Sequence, residues 1–254
     1  MRHWLRLLFL FPMCLSANDF ALKELFELHD VKGTIVIESH NSGKQYIHNN
    51  IRAYQPMLAA STFKIPHTLI ALNEGIIKDE KSPIIWDGKK RSMTVWNQNQ
   101  TLKSAFSVSC VWCYQQFTEN ISKQKYENYL HQLHYGNEQT GENVKTFWLD
   151  GTLRITAFEQ VAFLKKLYEE NLPFNKQDIL TVKTIMLNEE SENYQLYAKT
   201  GWATSEGSYG WFVGYLKTSK DVWFFATNMD IRKQSELKLR KQITMEAFRL
   251  LGVI

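Results

Sequence analysis

Val222-Trp223-Phe224-Phe225-Ala226-Thr227-Asn228 is the run whose reading decides the fold. Aromatic and β-branched residues fill it, which is the composition of a strand. Before it lies the short polar loop Thr218-Ser219-Lys220-Asp221, and before that Gly210 to Leu216 carries bulky residues in alternation. The two runs therefore read as a hairpin. Further upstream, Tyr194 to Lys199 is strand-like as well. Near the other end of the chain, Gly33-Thr34-Ile35-Val36-Ile37 has the same β-branched character, Asn41-Ser42-Gly43 signals a turn, and Lys44 to His48 returns as a second strand. Strands at both ends with helices between them predict one sheet whose ordering makes the termini meet.

Between the strands the period changes. From Ser61 to Glu74, residues Ile65, Leu69 and Leu72 fall on one helical face, and Gly75 is a stop. Pro66 fits only if this helix begins near Ser61, because proline belongs in a first turn. Thr101 to Glu170 is helix-rich; its clearest segment is Thr156 to Glu169, with Val161, Leu164 and Leu167 inward. Ala21 to His29 and Arg240 to Leu251 read as terminal helices. No internal repeat or linker interrupts the chain. The expectation is a mixed α/β fold with an inserted helical lobe. Residues 18–254 form one unit in this reading, with a sheet layer at about 18–60 and 190–254 and a helical region at about 61–189.

The 254 residues can bury a sizeable core without a disulfide scaffold. Apolar residues at 44% and charged residues at 22% make an ordinary globular mixture. The amino terminus stands apart: Met1 to Arg6 is basic, Leu7 to Leu15 is apolar around Pro12, and the small residues Ser16 and Ala17 follow. That order predicts a secretory signal at residues 1–17 and a secreted, periplasmic protein. The apolar run is too short to span a bilayer. Without these residues the chain keeps 28 basic against 26 acidic side chains, so no nucleic-acid footprint is present.

Of the three cysteines, Cys14 falls in the export segment. Cys110 and Cys113 remain; pairing and burial as two small hydrophobes are both open. No further His or Cys lies near enough in sequence to complete a metal site with them.

Ser61-Thr62-Phe63-Lys64 carries the chemistry. Serine and lysine three apart in a first helical turn share a side, and a lysine neutralised by burial can take the serine's proton. Lys199-Thr200-Gly201 ends a strand-like segment, where the lysine can hold a substrate carboxylate, Thr200 adds a hydroxyl donor, and Gly201 lets a ligand approach the backbone. The two motifs in this order are those of penicillin-binding proteins and serine β-lactamases.

The chain resembles the class D, oxacillinase-type β-lactamases over essentially the whole of residues 18–254. Beyond the two motifs, Ser109-Cys110-Val111 is similar to that family's Ser-x-Val element and Tyr135-Gly136-Asn137 to its Tyr-Gly-Asn element. Trp148, followed by Leu149 and Gly151, is similar to its loop tryptophan, and Arg240 to its carboxylate-binding arginine. No Ser-Asp-Asn occurs, which sets the chain apart from class A. Cys110 and Cys113 stand where the family more often has small or β-branched apolar residues.

The resemblance implies a transpeptidase-like fold, an antiparallel sheet flanked by helices. It implies Ser61 as nucleophile, and Lys64, carboxylated by carbon dioxide, as general base with Trp148 steadying it. Ser109 would pass a proton to the leaving nitrogen. The backbone N–H groups of Ser61 and Trp202 would hold the oxyanion. Val111 would pack against the modified lysine, Met93 and Trp96 would rim the pocket, and Lys199, Thr200 and Arg240 would meet the carboxylate. The implied partner is a small-molecule β-lactam, with no metal and no other cofactor; neither monomer nor homodimer is implied. A β-lactam-sensing receptor domain and a cell-wall transpeptidase or carboxypeptidase share the motifs and are the alternatives.

Overall fold

The computed structural model describes residues 17–254. Of the expected export segment all but Ala17, and with it Cys14, lie outside the described residues. Helix α1 (Ala17–Leu28) leads into β1 (Gly33–Ser39) and β2 (Gln45–His48), then a short α2 (Asn50–Ala53) and β3 (Met57–Leu58). A 3-10 turn at Ala60–Phe63 runs straight into α3 (Lys64–Asn73). The lobe continues with β4 (Pro83–Ile84), β5 (Gln100–Thr101), α4 (Leu102–Ser107), α5 (Val111–Phe117) and α6 (Lys123–Leu133). After β6 (Arg154–Ile155) come α7 (Ala157–Tyr168) and α8 (Lys176–Met186). Strands β7 (Leu187–Glu190), β8 (Tyr194–Ala203), β9 (Tyr209–Thr218) and β10 (Val222–Asp230) precede the closing α9 (Leu239–Leu250).

The main sheet has the order β2-β1-β10-β9-β8-β7. All its pairings are antiparallel, and β1 joins β10 in the register Ile37↔Phe225 and Ile35↔Thr227. The expected meeting of the two ends is thus made by β1 and β10. Both faces of these strands are covered, which is why their sequences are near-continuous apolar runs. Ile35, Ile37, Phe212 and Phe225 pack on one side with Leu22 and Phe26 of α1 and Phe248 of α9. Val36, Val213, Phe224 and Ala226 face the helical lobe. Each fully buried side chain of this size contributes about 1.5–3 kcal/mol.

Local signals set the helix boundaries. Thr156 caps α7 in a capping box with Glu159. Pro66 sits in the first turn of α3, where its missing N–H costs nothing, and α3 gives way at Gly75 with φ 67. Helix α1 starts four residues before the expected Ala21, and β8 runs four residues beyond Lys199.

Candidate active site

The site is built where β8 meets the 3-10 turn that opens α3. Gly201 makes this approach possible: a Cβ there would come within 3.2 Å of the Thr62 methyl and 3.3 Å of the Ala59 carbonyl. Ala60, directly before Ser61, takes a left-handed backbone (φ 48), a conformation that costs a non-glycine residue roughly 1–3 kcal/mol. Its N–H donates to the Trp148 carbonyl at 2.8 Å, and Gln160 braces the turn by donating to Thr62 Oγ1 at 2.8 Å. Nothing in the sequence announces this strained alanine.

Lys64 is fully buried, and its Nζ lies in hydrogen-bond contact with Ser61 Oγ at 3.1 Å. Burial alone pulls its pKa down to about 7. Its Nζ also sits 4.9 Å from the centre of the Tyr114 ring, whose hydroxyl is bonded to Thr68 Oγ1. Ser61 is 9% exposed, so the hydroxyl is reachable while the amine is not.

Trp148 packs against the residues that flank the lysine in sequence. Its ring stacks on Phe63 with centroids 5.8 Å apart and meets His67 edge-on at 5.1 Å. Its Nε1–H is buried and has no hydrogen-bond partner among the described residues. Tyr135-Gly136-Asn137 straps the loop that presents Trp148. Asn137 donates to the Thr152 carbonyl at 2.7 Å and accepts from the Arg154 N–H at 3.0 Å. Gly136 has φ 57, and a Cβ there would overlap the Arg154 carbonyl at 1.9 Å. Tyr135 is fully buried and its ring meets Phe63 edge-on. His67 is structural, hydrogen-bonded to the Tyr126 hydroxyl at 2.7 Å. Its ring also lies edge-on against Trp148.

Ser109 enters from the turn before α5, again left-handed with φ 54. Lys199 Nζ donates to its Oγ and to the Thr200 carbonyl at 3.1 Å. Lys199 is 3% exposed, and its amine is turned onto Ser109. Burial, then the neighbouring charges of Lys64 and Arg240, hold its pKa well below the usual lysine range. Arg240 stands behind β8, its Nε donating to the Leu237 carbonyl at 2.7 Å and a second nitrogen to the Gly201 carbonyl. Burial lowers its pKa to about 10, which leaves it charged at neutral pH. It occupies the space over Gly210, where a Cβ would meet its Cδ at 2.4 Å.

The residues expected at the rim lie nearer the surface. Met93 is exposed, and Trp96 is half-buried with its indole N–H donating to the Val108 carbonyl at 2.9 Å. Trp202 is exposed and donates from its indole to Ser208 Oγ at 3.1 Å. Val111 opens α5 beside Cys110, and Leu149 packs half-buried against the core next to Trp148. Cys110 and Cys113, left open by the sequence, are joined by a disulfide with Cα atoms 5.5 Å apart. The described residues hold no cluster of three or more potential metal ligands, and none of their helices is long and apolar enough to cross a membrane.

Residues 33–249 match the family described as the penicillin binding protein transpeptidase domain. The chain is 41% identical over 225 residues to the β-lactamase OXA-48 of Klebsiella pneumoniae, covering 88% of this chain and 85% of that one. The solved class D β-lactamase YbXI from Nostoc superposes with a TM-score of 0.89 at 40% identity, over 91% of this chain and 98% of that one. The class D β-lactamase FUS-1 from Fusobacterium nucleatum gives a TM-score of 0.90 at 36% identity, over 92% and 98%.

Proposed function

Because the chain belongs to the class D serine β-lactamases, enzymes that open β-lactam rings through an acylated serine, we propose that Ser61 is its nucleophile and Lys64 the base that activates it. One observation carries the assignment: a fully buried amine with a pKa of about 7, 3.1 Å from a serine oxygen that solvent can still reach. At neutral pH a large share of such amines is unprotonated and able to accept the Ser61 proton.

In the proposed reaction Ser61 Oγ attacks the lactam carbonyl and loses its proton to the Lys64 side. The backbone N–H groups of Ser61 and Trp202 hold the oxyanion. The ring C–N bond then breaks as Ser109, its Oγ held by Lys199, passes a proton to the nitrogen and is reprotonated with the one Lys64 took from Ser61. Water finally attacks the Ser61 ester and frees the serine. Arg240 supplies the positive charge under β8 that draws the substrate carboxylate, with Thr200 as hydroxyl donor. Met93 and Trp96 shape the rim.

Two features suit Lys64 to carboxylation: an amine neutral enough to add carbon dioxide, and the unpartnered indole N–H of Trp148, which can only donate. The carbamate, once formed, supplies anionic oxygens that accept protons where an ammonium cannot. Val111 and Leu149 add apolar cover. We read residues 18–254 as one catalytic unit, exported to the periplasm on the strength of residues 1–17.

The test is intact mass after brief exposure to a slowly released penicillin. One adduct per chain is expected, absent in Ser61→Ala; persistence of the adduct in that variant overturns the assignment. Substrate loss beyond one equivalent separates turnover from a receptor that stops at the acyl-enzyme.

A further inference from the structure

We infer that the Cys110–Cys113 disulfide is a positioning element for the reaction, closing the turn that holds Ser109 on Lys199 and locking that turn to the pocket rim. The inference rests on the proposed role of Ser109. Both cysteines are fully buried, so neither sulfur meets substrate, and any effect on the reaction passes through geometry.

Three observations carry it. First, Cys110 directly follows Ser109, whose left-handed backbone needs surroundings that hold it in place. Second, Cys110 is the N-cap of α5, and its Sγ accepts the Cys113 N–H at 3.3 Å. Backbone bonds from Ser109 N–H to the Phe106 carbonyl at 3.2 Å and from Cys110 N–H to the Ala105 carbonyl at 2.9 Å tie the turn to α4. Sulfur is a weak acceptor where helices favour Ser, Thr, Asp or Asn, so on the α5 side the covalent bond adds what the cap lacks. Third, Trp112, between the two cysteines, donates to the Trp96 carbonyl at 2.9 Å, and Trp96 donates back to the Val108 carbonyl at 2.9 Å. Arg91 lies over the Trp112 ring at 5.2 Å. Residues 108–112 and the rim turn at Thr94–Trp96 are therefore one clamp, with the disulfide at its root.

A purely stabilising role fits poorly. The bond closes a loop of sequence separation 3, and so short a loop removes little freedom from the unfolded chain. What it can do is hold a local conformation.

The experiment compares Cys110→Ala/Cys113→Ala and phosphine-reduced wild type with the oxidised enzyme. Thiol titration establishes the redox state, and single-turnover kinetics on a chromogenic cephalosporin separate acylation from deacylation. Acylation is expected to slow about tenfold, as a small misplacement of a reacting group does. Deacylation should be unchanged and the melting midpoint nearly so. Acylation at the wild-type rate in either form overturns the proposal, as do two free thiols in the untreated enzyme. Should the alanine pair not fold, Cys110→Val/Cys113→Val refills the volume and gives the same readout. Ser109→Ala keeps the two readings apart: wild-type acylation in that variant defeats the role of Ser109 itself, while slow acylation there with fast cysteine variants defeats only the disulfide's part.

Discussion

Lys199 Nζ donates to Ser109 Oγ across 90 residues of sequence, joining strand β8 to the turn before α5 in a single hydrogen-bonded unit. The lysine is sealed in, with the Phe106 ring 5.4 Å from its Nζ and two other cations nearby, so its proton is poorly held and readily shared with the serine. This relationship is what our proposal for Ser109 as proton donor draws on.

Ser109→Ala and Lys199→Ala should consequently impair the same step. Each is expected to lower the acylation rate by roughly 10²–10³, the range for loss of a positioned proton carrier, and the double variant should be little worse than either single one. Rapid-quench kinetics measure this. Losses that multiply in the double variant would show that the two side chains act independently.

Trp148→Phe keeps the ring that stacks on Phe63 and removes the unpartnered N–H. With carbon-13-labelled bicarbonate, the wild type should give a carbamate resonance that disappears in Lys64→Ala and weakens in Trp148→Phe. Added bicarbonate should partly restore turnover in the tryptophan variant. Full turnover by wild type in carbon dioxide-free buffer, with no resonance, would end the carbamate proposal and leave Ser61 untouched.

Burial of Lys64 also has a cost in stability whose pH dependence has a definite sign. The folded chain releases the Lys64 proton near pH 7, the unfolded chain only near 10.5. Between those values unfolding takes up a proton, so this contribution to stability rises with pH across the window. At and below pH 7 the full penalty of a buried cation remains. In carbon dioxide-free buffer, Lys64→Met should stabilise the protein by roughly 2–4 kcal/mol at pH 6.5 and by much less near pH 10. Urea titration at the two pH values measures it. An equal gain at both would assign the effect to packing and not to charge.

How much of this was legible in the sequence follows from where each property resides. Ser61 and Lys64 were readable because their spacing alone puts them on one side of a first turn. The sheet was readable because β1 and β10, covered on both faces, carry unbroken β-branched and aromatic runs. The direction of the Lys199 side chain was not, since it is set by Ser109 arriving from another element. The left-handed Ala60 was hidden because alanine carries no signal for that backbone; its N–H bonds to the Trp148 carbonyl, from a loop distant in sequence. The Cys110–Cys113 pairing stayed open because an i,i+3 spacing suits both a bond and two packed thiols, and the turn geometry before α5 decides between them.

The register Ile37↔Phe225 has a consequence for the order in which the protein can come into being. During synthesis the nucleophile turn, the Ser109 turn and the Trp148 loop have all emerged while β10 is still unmade. Until then β1 and β2 are a hairpin without the central strand that joins them to β9 and β8, and an isolated hairpin is at best marginal in water. The strand that carries Lys199 and walls the site on one side thus docks late, by a long-range pairing of the kind that slows folding. A chain stalled before β10 would hold Ser61, Lys64, Ser109, Trp148 and Lys199, and still have no finished pocket in which to use them.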